Sequence, residues 1–112
     1  MKAEEYNIKI AIENHCDQTA GELLAEHIVT THFKDYAFKM ENWGFKSFGV
    51  ALGDGVIDLK AILKILKEKS KLDRIMLEIP VEKEGTEKAT LEKEDDNVRR
   101  SVLYAWDVLG IK

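Results

Sequence analysis

Residues 8–13 (IKIAIE), 29–32 (VTTH) and 74–79 (RIMLEI) decide the fold. All three stretches are rich in β-branched or aliphatic residues, which is typical of β-strands. At or near its end, each carries a side chain that can bind a metal ion or transfer a proton: Glu13, His32 and Glu78. Alternation along a strand places Glu13 and Glu78 opposite the more aliphatic face. Two carboxylates and an imidazole at three strand ends predict a site for a divalent cation or for proton transfer.

Length and composition fit one globular domain, which we predict over residues 1–112. The net charge is -4 and no basic cluster is present, so we expect no nucleic-acid partner. The apolar runs are shorter than the roughly 20 residues that cross a bilayer. The amino terminus is polar and acidic, unlike a signal peptide. A single cysteine, Cys16, is typical of a small buried residue in a reducing compartment. We therefore predict a cytoplasmic protein with no membrane partner.

Helical patterns separate the strands. The capping-box spacing of residues 19–22 (TAGE) predicts a short helix over 20–27, followed almost directly by a strand over 28–33. Asp58 is a suitable N-cap for a helix over 59–69, where leucine and isoleucine recur at helical spacing. A last helix, over 95–109 and ended by Gly110, is predicted from an apolar stripe of Val98, Val102, Ala105, Trp106 and Leu109. Strands alternating with helices predict an α/β fold with a parallel sheet.

Three further stretches are predicted as loops. Residues 34–46 are aromatic and charged, and their aromatic side chains either wall a pocket or cover a hydrophobic surface or subunit contact. Residues 48–56 contain three glycines, which permit positive φ or close approach of a ligand. Residues 82–96 are densely charged and predict a solvated loop.

Four motifs taken in order resemble the carboxy-terminal half of the sugar phosphate isomerase/epimerase family: residues 10–15 (IAIENH), 30–36 (TTHFKDY), 49–59 (GVALGDGVIDL) and 77–80 (LEIP). That family has a xylose-isomerase-like TIM barrel, with its active site at the carboxyl ends of the strands. The resemblance implies that Glu13 is the metal ligand and acid/base of strand five. It likewise implies that His32 is the metal ligand of strand seven, and Glu78 the ligand and second acid/base of strand eight.

The resemblance also implies the chemistry. The catalytic residues are Glu13 and Glu78, and the cofactor is a divalent metal, namely Mn, Mg, Co or Zn. The reaction is proton transfer next to the carbonyl of a small-molecule sugar. The implied substrate contacts are His15, Lys34, Gly53 and Gly55.

The chain departs from the family in the strands that it lacks. Strands one to four are absent, and strand six with its aspartate ligand is missing between Leu24 and Ala25. We therefore predict a partial TIM-barrel unit of three to four mostly parallel strands alternating with helices. Exposed sheet edges predict completion by self-association, most simply as a two-fold dimer.

The fourth metal ligand separates two functions. Candidates are His15, Asp35 and Asp54, although each also fits a local role, as a turn residue for His15 and a solvated or loop-bonding carboxylate for the aspartates. With a complete ligand set, the chain is predicted to be a metal-dependent sugar (phosphate) isomerase or epimerase. Without one, it is predicted to be a catalytically inactive remnant that serves as a small oligomeric structural module.

Overall fold

A computed structural model describes the backbone of residues 10–13 and all of residues 24–112. In these ranges the chain forms a mixed α/β structure with two small sheets. Its strands are β1 (Ile10–Glu13), β2 (Ile28–Phe33), β3 (Asp35–Glu41), β4 (Gly44–Val50) and β5 (Arg74–Leu77), and its helices are a 3-10 helix (Ala25–His27), α1 (Leu59–Lys69) and α2 (Glu87–Asp107). The described strands do not close into a barrel, because they form one three-stranded sheet and one hairpin.

The chain divides into two compact units. The first contains the described residues up to Phe33 together with Asp58–Met76, and the second contains Lys34–Ile57 together with Leu77–Lys112. The three-stranded sheet has the order β1-β2-β5, and β1 pairs with β2 in parallel. The predicted parallel pairing is therefore confirmed for these two strands.

Helix α1 of the first unit forms where the sequence predicts it. The Asp58 side chain accepts a hydrogen bond from the backbone N–H of Ala61 (3.0 Å), which satisfies one of the free donors at the helix start. Lysines cover the exposed face, and the helix ends at Ser70, whose backbone N–H donates to the Leu66 carbonyl. The buried face consists of Leu59, Ile62, Leu63 and Leu66.

The hairpin of β3 and β4 corrects the prediction of a long loop over residues 34–46. The two strands pair antiparallel, with Lys39 opposite Lys46 and Met40 opposite Phe45. Charged and apolar residues therefore alternate with the period of two that a strand requires. Asn42, at φ 49°, makes the turn, a backbone conformation that asparagine tolerates better than most residues.

Helix α2 corrects the prediction of a charged loop over residues 82–96, because the helix already begins at Glu87. Thr86 caps it by accepting a hydrogen bond from the Ala89 N–H (3.1 Å). Glutamate and lysine favour helices, and opposite charges pair along this one, as between Lys88 and Glu92 at a spacing of four residues. The density of charge therefore marks a solvated helical face rather than a loop.

The buried face of α2 also differs from the predicted stripe. Three predicted core residues are exposed: Val98, Val102 and Trp106. Ala105 and Leu109 are buried as predicted, and the helix otherwise buries Asn97 and Ser101. The Ser101 hydroxyl accepts a hydrogen bond from the Leu52 N–H (3.0 Å), so small polar residues let the helix approach the segment after β4. The predicted end of the helix is confirmed by Gly110, which takes a positive φ of 65°.

Two further predictions are compared with the structure only where residues are described. The helix predicted over 20–27 falls mostly outside the described residues, and its described end is the 3-10 helix that leads directly into β2. The strand predicted over 74–79 covers only Arg74–Leu77. Cys16 and His15 lie outside the described residues.

Candidate functional site

Two of the predicted metal ligands occupy adjacent positions at the carboxyl ends of parallel strands. In the β1–β2 ladder, Glu13 is the register partner of His32. Neighbouring strands lie about 4.8 Å apart, so the two backbone positions are adjacent in the sheet. The expectation that these two strand ends come together is met by the backbone placement.

His32 lies on the more exposed face of β2. Residues of one face, Thr31 and Phe33, are buried, whereas His32 is half-buried and shares its face with Thr30. The Thr30 hydroxyl oxygen is buried and makes no hydrogen bond to any described residue. Buried polar groups are normally hydrogen-bonded. The Thr30 hydroxyl is therefore a polar group that can still accept a partner, on the same face of β2 as His32.

The strands β2 and β5 also start next to each other and finish next to each other. The N–H of Asp73, just before β5, donates to the carbonyl of Val29 near the start of β2 (3.1 Å). At the other end, Lys34 follows β2 and Glu78 follows β5, and their side chains form an ion pair of 3.1 Å. Strands that both begin and end side by side run in the same direction.

The Lys34–Glu78 pair joins a predicted substrate contact to a predicted acid/base. The Lys34 side chain is 3% exposed and that of Glu78 is 43% exposed. A buried ammonium group needs a charged partner, because removing it from water is costly. The Glu78 carboxylate therefore neutralises Lys34 in this structure, which is a role that the sequence did not predict.

Asp35 organises the loop that follows the hairpin. Its carboxylate is fully buried and accepts hydrogen bonds from four backbone N–H groups, two at each oxygen. The donors are Tyr36 (2.9 Å), Gly53 (3.0 Å), Gly55 (3.0 Å) and Ile57 (3.2 Å). Of the two roles considered for this residue, the contacts match loop bonding rather than metal ligation, since both carboxylate oxygens are occupied.

The two glycines predicted to contact substrate are required by this loop. Gly53 has a φ of 90°, and a β-carbon there would overlap the ring of Tyr104. A β-carbon on Gly55 would overlap the Asp35 carboxylate and the Tyr36 carbonyl. Both glycine N–H groups donate to Asp35, so in this conformation they are directed at a side chain of β3.

Of the other two candidates for a fourth ligand, only Asp54 lies among the described residues. Asp54 forms an ion pair with Arg100 (2.6 Å), a residue of α2 that also contacts Asp96 (3.0 Å). His15 and the side chain of Glu13 lie outside what the structure describes. Among the described side chains, no three His, Cys, Asp or Glu residues are grouped to hold a metal ion.

Sequence reasoning missed the buried ion pair and the extent of the Asp35 contacts. A lysine directly after an aliphatic strand resembles any exposed loop residue, and nothing in the sequence pairs it with Glu78. Asp35 also gave no local signal, because three of its four donors, Gly53, Gly55 and Ile57, lie 18 to 22 residues further along the chain.

Comparison with known proteins does not identify the chain. No protein-family model matches it, and no match is found among curated proteins. In the described ranges neither α-helix is long and apolar enough to cross a membrane. The family relationship therefore stays a prediction from the four sequence motifs.

Proposed function

We propose that the chain is a divalent-metal-dependent sugar (phosphate) isomerase or epimerase in which Glu13 and His32 hold the metal. The observation that carries this proposal is the pairing of these two residues across the parallel β1–β2 ladder. A carboxylate and an imidazole suit Mn, Co, Mg or Zn. The unsatisfied Thr30 hydroxyl, two residues before His32, adds a polar group that a metal-bound water or a sugar hydroxyl can satisfy.

In fold terms, we propose that β1, β2 and β5 correspond to strands five, seven and eight of a xylose-isomerase-like TIM barrel. Their spatial order, β1-β2-β5, follows the order expected when strand six is missing. Supporting this, β1 and β2 are parallel, and β5 begins beside the start of β2. The hairpin of β3 and β4 then belongs to the connection that follows strand seven.

The proposed reaction removes a proton from a carbon next to a carbonyl. In epimerisation a proton returns to the same carbon, and in isomerisation it returns to the former carbonyl carbon while the neighbouring hydroxyl gives its proton to the carbonyl oxygen. A bound divalent metal would supply Lewis acidity toward the sugar carbonyl and its neighbouring hydroxyl. Glu13 would act as a base toward the carbon-bound proton, as the resemblance implies, and the His32 imidazole would help to hold the metal. Glu78 as the second acid/base remains a prediction, and it requires that its carboxylate leave Lys34.

A second candidate function is an inactive oligomeric structural module. It is favoured by the contacts that Glu78, Gly53 and Gly55 make within the chain. The Glu78 carboxylate faces the buried Lys34 ammonium, and the N–H groups of Gly53 and Gly55 face Asp35. In the three-stranded sheet the described edge strands are β1 and β5, and a second copy of the chain can cover them. If so, the thermal midpoint rises with protein concentration, whereas a monomeric sheet gives a constant midpoint.

Metal binding tests the site directly. We expect the wild-type chain to bind about one Mn²⁺ per chain. Binding is measured as the loss of the electron paramagnetic resonance signal of the free ion. We expect Glu13→Gln and His32→Gln each to weaken binding by about tenfold or more. The matched control is Glu68→Gln, which removes the same charge from an exposed position on α1. Equal affinity in all four proteins contradicts the site.

Turnover separates the two candidate functions. Ketoses and their phosphates are incubated with the Mn²⁺-loaded chain in D₂O, and deuterium incorporation next to the carbonyl is followed by NMR. Incorporation that is lost in Glu13→Gln supports the enzyme. Metal binding without incorporation in any sugar supports the inactive module.

A further inference from the structure

The end of the β3–β4 hairpin carries an exposed apolar cluster that neither candidate function uses. We call this cluster the hairpin tip, and it consists of Phe38, Met40, Trp43 and Phe45. The exposed fractions are 45%, 74%, 102% and 75% in that order. Single exposed apolar residues are common on protein surfaces, but a contiguous group of four indicates a contact surface.

The strand register places most of the hairpin tip on one face. Met40 is directly opposite Phe45, so the two side chains project from the same side of the hairpin. Phe38, two residues before Met40, shares that side and lies opposite Ser47. Trp43 sits in the turn at the end of this face. Phe38, Met40 and Phe45 therefore lie on one side of the hairpin rather than scattered on both.

The opposite face of the hairpin is charged but balanced. Lys39 pairs with Glu41 at 2.6 Å, and Lys46 pairs with Glu82 at 3.0 Å. Each lysine is thus matched by a carboxylate. Membrane-surface segments instead combine their apolar residues with excess basic charge, which attracts anionic lipid. Because its charges are balanced, the hairpin offers no net charge repulsion to an identical hairpin turned by a two-fold rotation.

The exposed area also fits pairing with a second copy. Aromatic side chains present about 150–250 Å² each, so three aromatic residues together with Met40 expose on the order of 600 Å² of mostly apolar surface. Two such surfaces in face-to-face contact remove roughly 1,200 Å² from water, which reaches the lower end of the range for specific interfaces. The hairpin tip alone is therefore large enough for a weak dimer.

We infer that the hairpin tip is the contact surface of a homodimer, in which the apolar face of one hairpin packs on that of its partner about a two-fold axis. This interface differs from pairing of the β1 or β5 edges, and it does not depend on metal binding. Trp43 is its main anchor, because a fully exposed indole gains the most from burial and because tryptophan is enriched at interface hot spots.

Sedimentation velocity over a range of protein concentrations tests the interface. We expect the wild-type chain to dimerise reversibly, and Trp43→Ser and Phe45→Ser each to raise the dimer dissociation constant by about tenfold or more. Both residues are exposed, so their replacement leaves the fold intact. The matched control is Trp106→Ser, which removes the chain's other tryptophan from an exposed position on α2. The control is expected to dimerise like the wild type.

Fluorescence provides an independent readout. In a Trp106→Phe variant Trp43 is the remaining tryptophan, and its emission should shift to shorter wavelength as dimers form. A monomeric mass at every concentration overturns the inference. So does an equal weakening by Trp106→Ser, which assigns the interface to α2. A blue shift seen only with phosphatidylcholine–phosphatidylglycerol vesicles, with a monomeric mass, also overturns it and assigns the tip to a membrane surface.

Discussion

The Lys34 ammonium lies 3.1 Å from a carboxylate oxygen of Glu78, and of the two side chains only that of Lys34 is buried. This asymmetry predicts unequal effects of mutation. Glu78→Gln takes the negative charge away from a buried cation and should lower the free energy of unfolding by about 2 kcal/mol. Lys34→Met removes the buried charge itself, leaves a half-exposed carboxylate and should cost less.

Urea denaturation of the two single variants and of Lys34→Met/Glu78→Gln measures this difference. We expect the double variant to be more stable than Glu78→Gln alone, because no buried ammonium remains. If Lys34→Met is the more damaging single change, the pair does not behave as a buried cation with a solvated partner.

Asp35→Asn is predicted to destabilise the loop after β4 strongly. The asparagine side chain keeps one acceptor oxygen but turns an NH₂ group toward backbone N–H groups that the carboxylate had satisfied. Hydrogen bonds to charged groups are individually strong, so we expect a loss of about 3 kcal/mol in urea denaturation. Asp58→Asn is the control, because asparagine is also a good N-cap and the change at α1 should be close to neutral.

Three Gly→Ala substitutions distinguish glycines that the fold requires from one that it does not. Gly53→Ala meets the Tyr104 ring at a positive φ, and Gly55→Ala meets the Asp35 carboxylate. Each should lower stability by about 2 kcal/mol or more. Around Gly85, by contrast, a β-carbon meets no atom within 4 Å. Gly85→Ala should therefore change the thermal midpoint little, and an equal effect at all three positions would argue against the described loop packing.

The Lys39–Glu41 pair predicts a pH dependence of hairpin stability. The hydrogen bond between the two side chains lowers the pKa of Glu41 below its usual 4.5 and raises the pKa of Lys39 above 10.5. A lowered carboxyl pKa stabilises the folded state above the usual value, and the effect is lost as pH falls through the lowered pKa. A raised lysine pKa stabilises it below the usual value, and the effect is lost as pH rises through the raised pKa.

Comparison of Glu41→Gln with the wild type checks this window. At about pH 7 the variant should have a slightly lower thermal midpoint, and the difference should shrink as pH falls through the lowered pKa of Glu41. Both side chains are well exposed, so added salt should also reduce the difference. A constant difference across this pH range would show that the charge of Glu41 is not its cause.

The sequence predicted elements whose signals are local. Asp58 and the leucine spacing were sufficient for α1, and aliphatic runs ending in Glu13 and His32 were sufficient for two parallel strands. Prediction failed where tertiary contacts decide the outcome. Val98 and Trp106 look like core residues by spacing, yet α2 buries Ser101 because its hydroxyl satisfies the Leu52 N–H. The helix within residues 82–96 was not predicted, because the solvated face of a helix and a solvated loop have similar, highly charged compositions.

The Asp35 side chain accepts hydrogen bonds from four backbone N–H groups, which lie between Tyr36 and Ile57 in the chain. Displacing the carboxylate exposes all four N–H groups in one event, because none of these bonds to Asp35 can persist once it moves away. Their hydrogen–deuterium exchange rates should therefore share a single opening free energy, despite a separation of up to 21 positions along the chain (57 minus 36). In Asp35→Asn that common protection should fall at all four sites, so this part of the protein opens as a unit rather than fraying residue by residue.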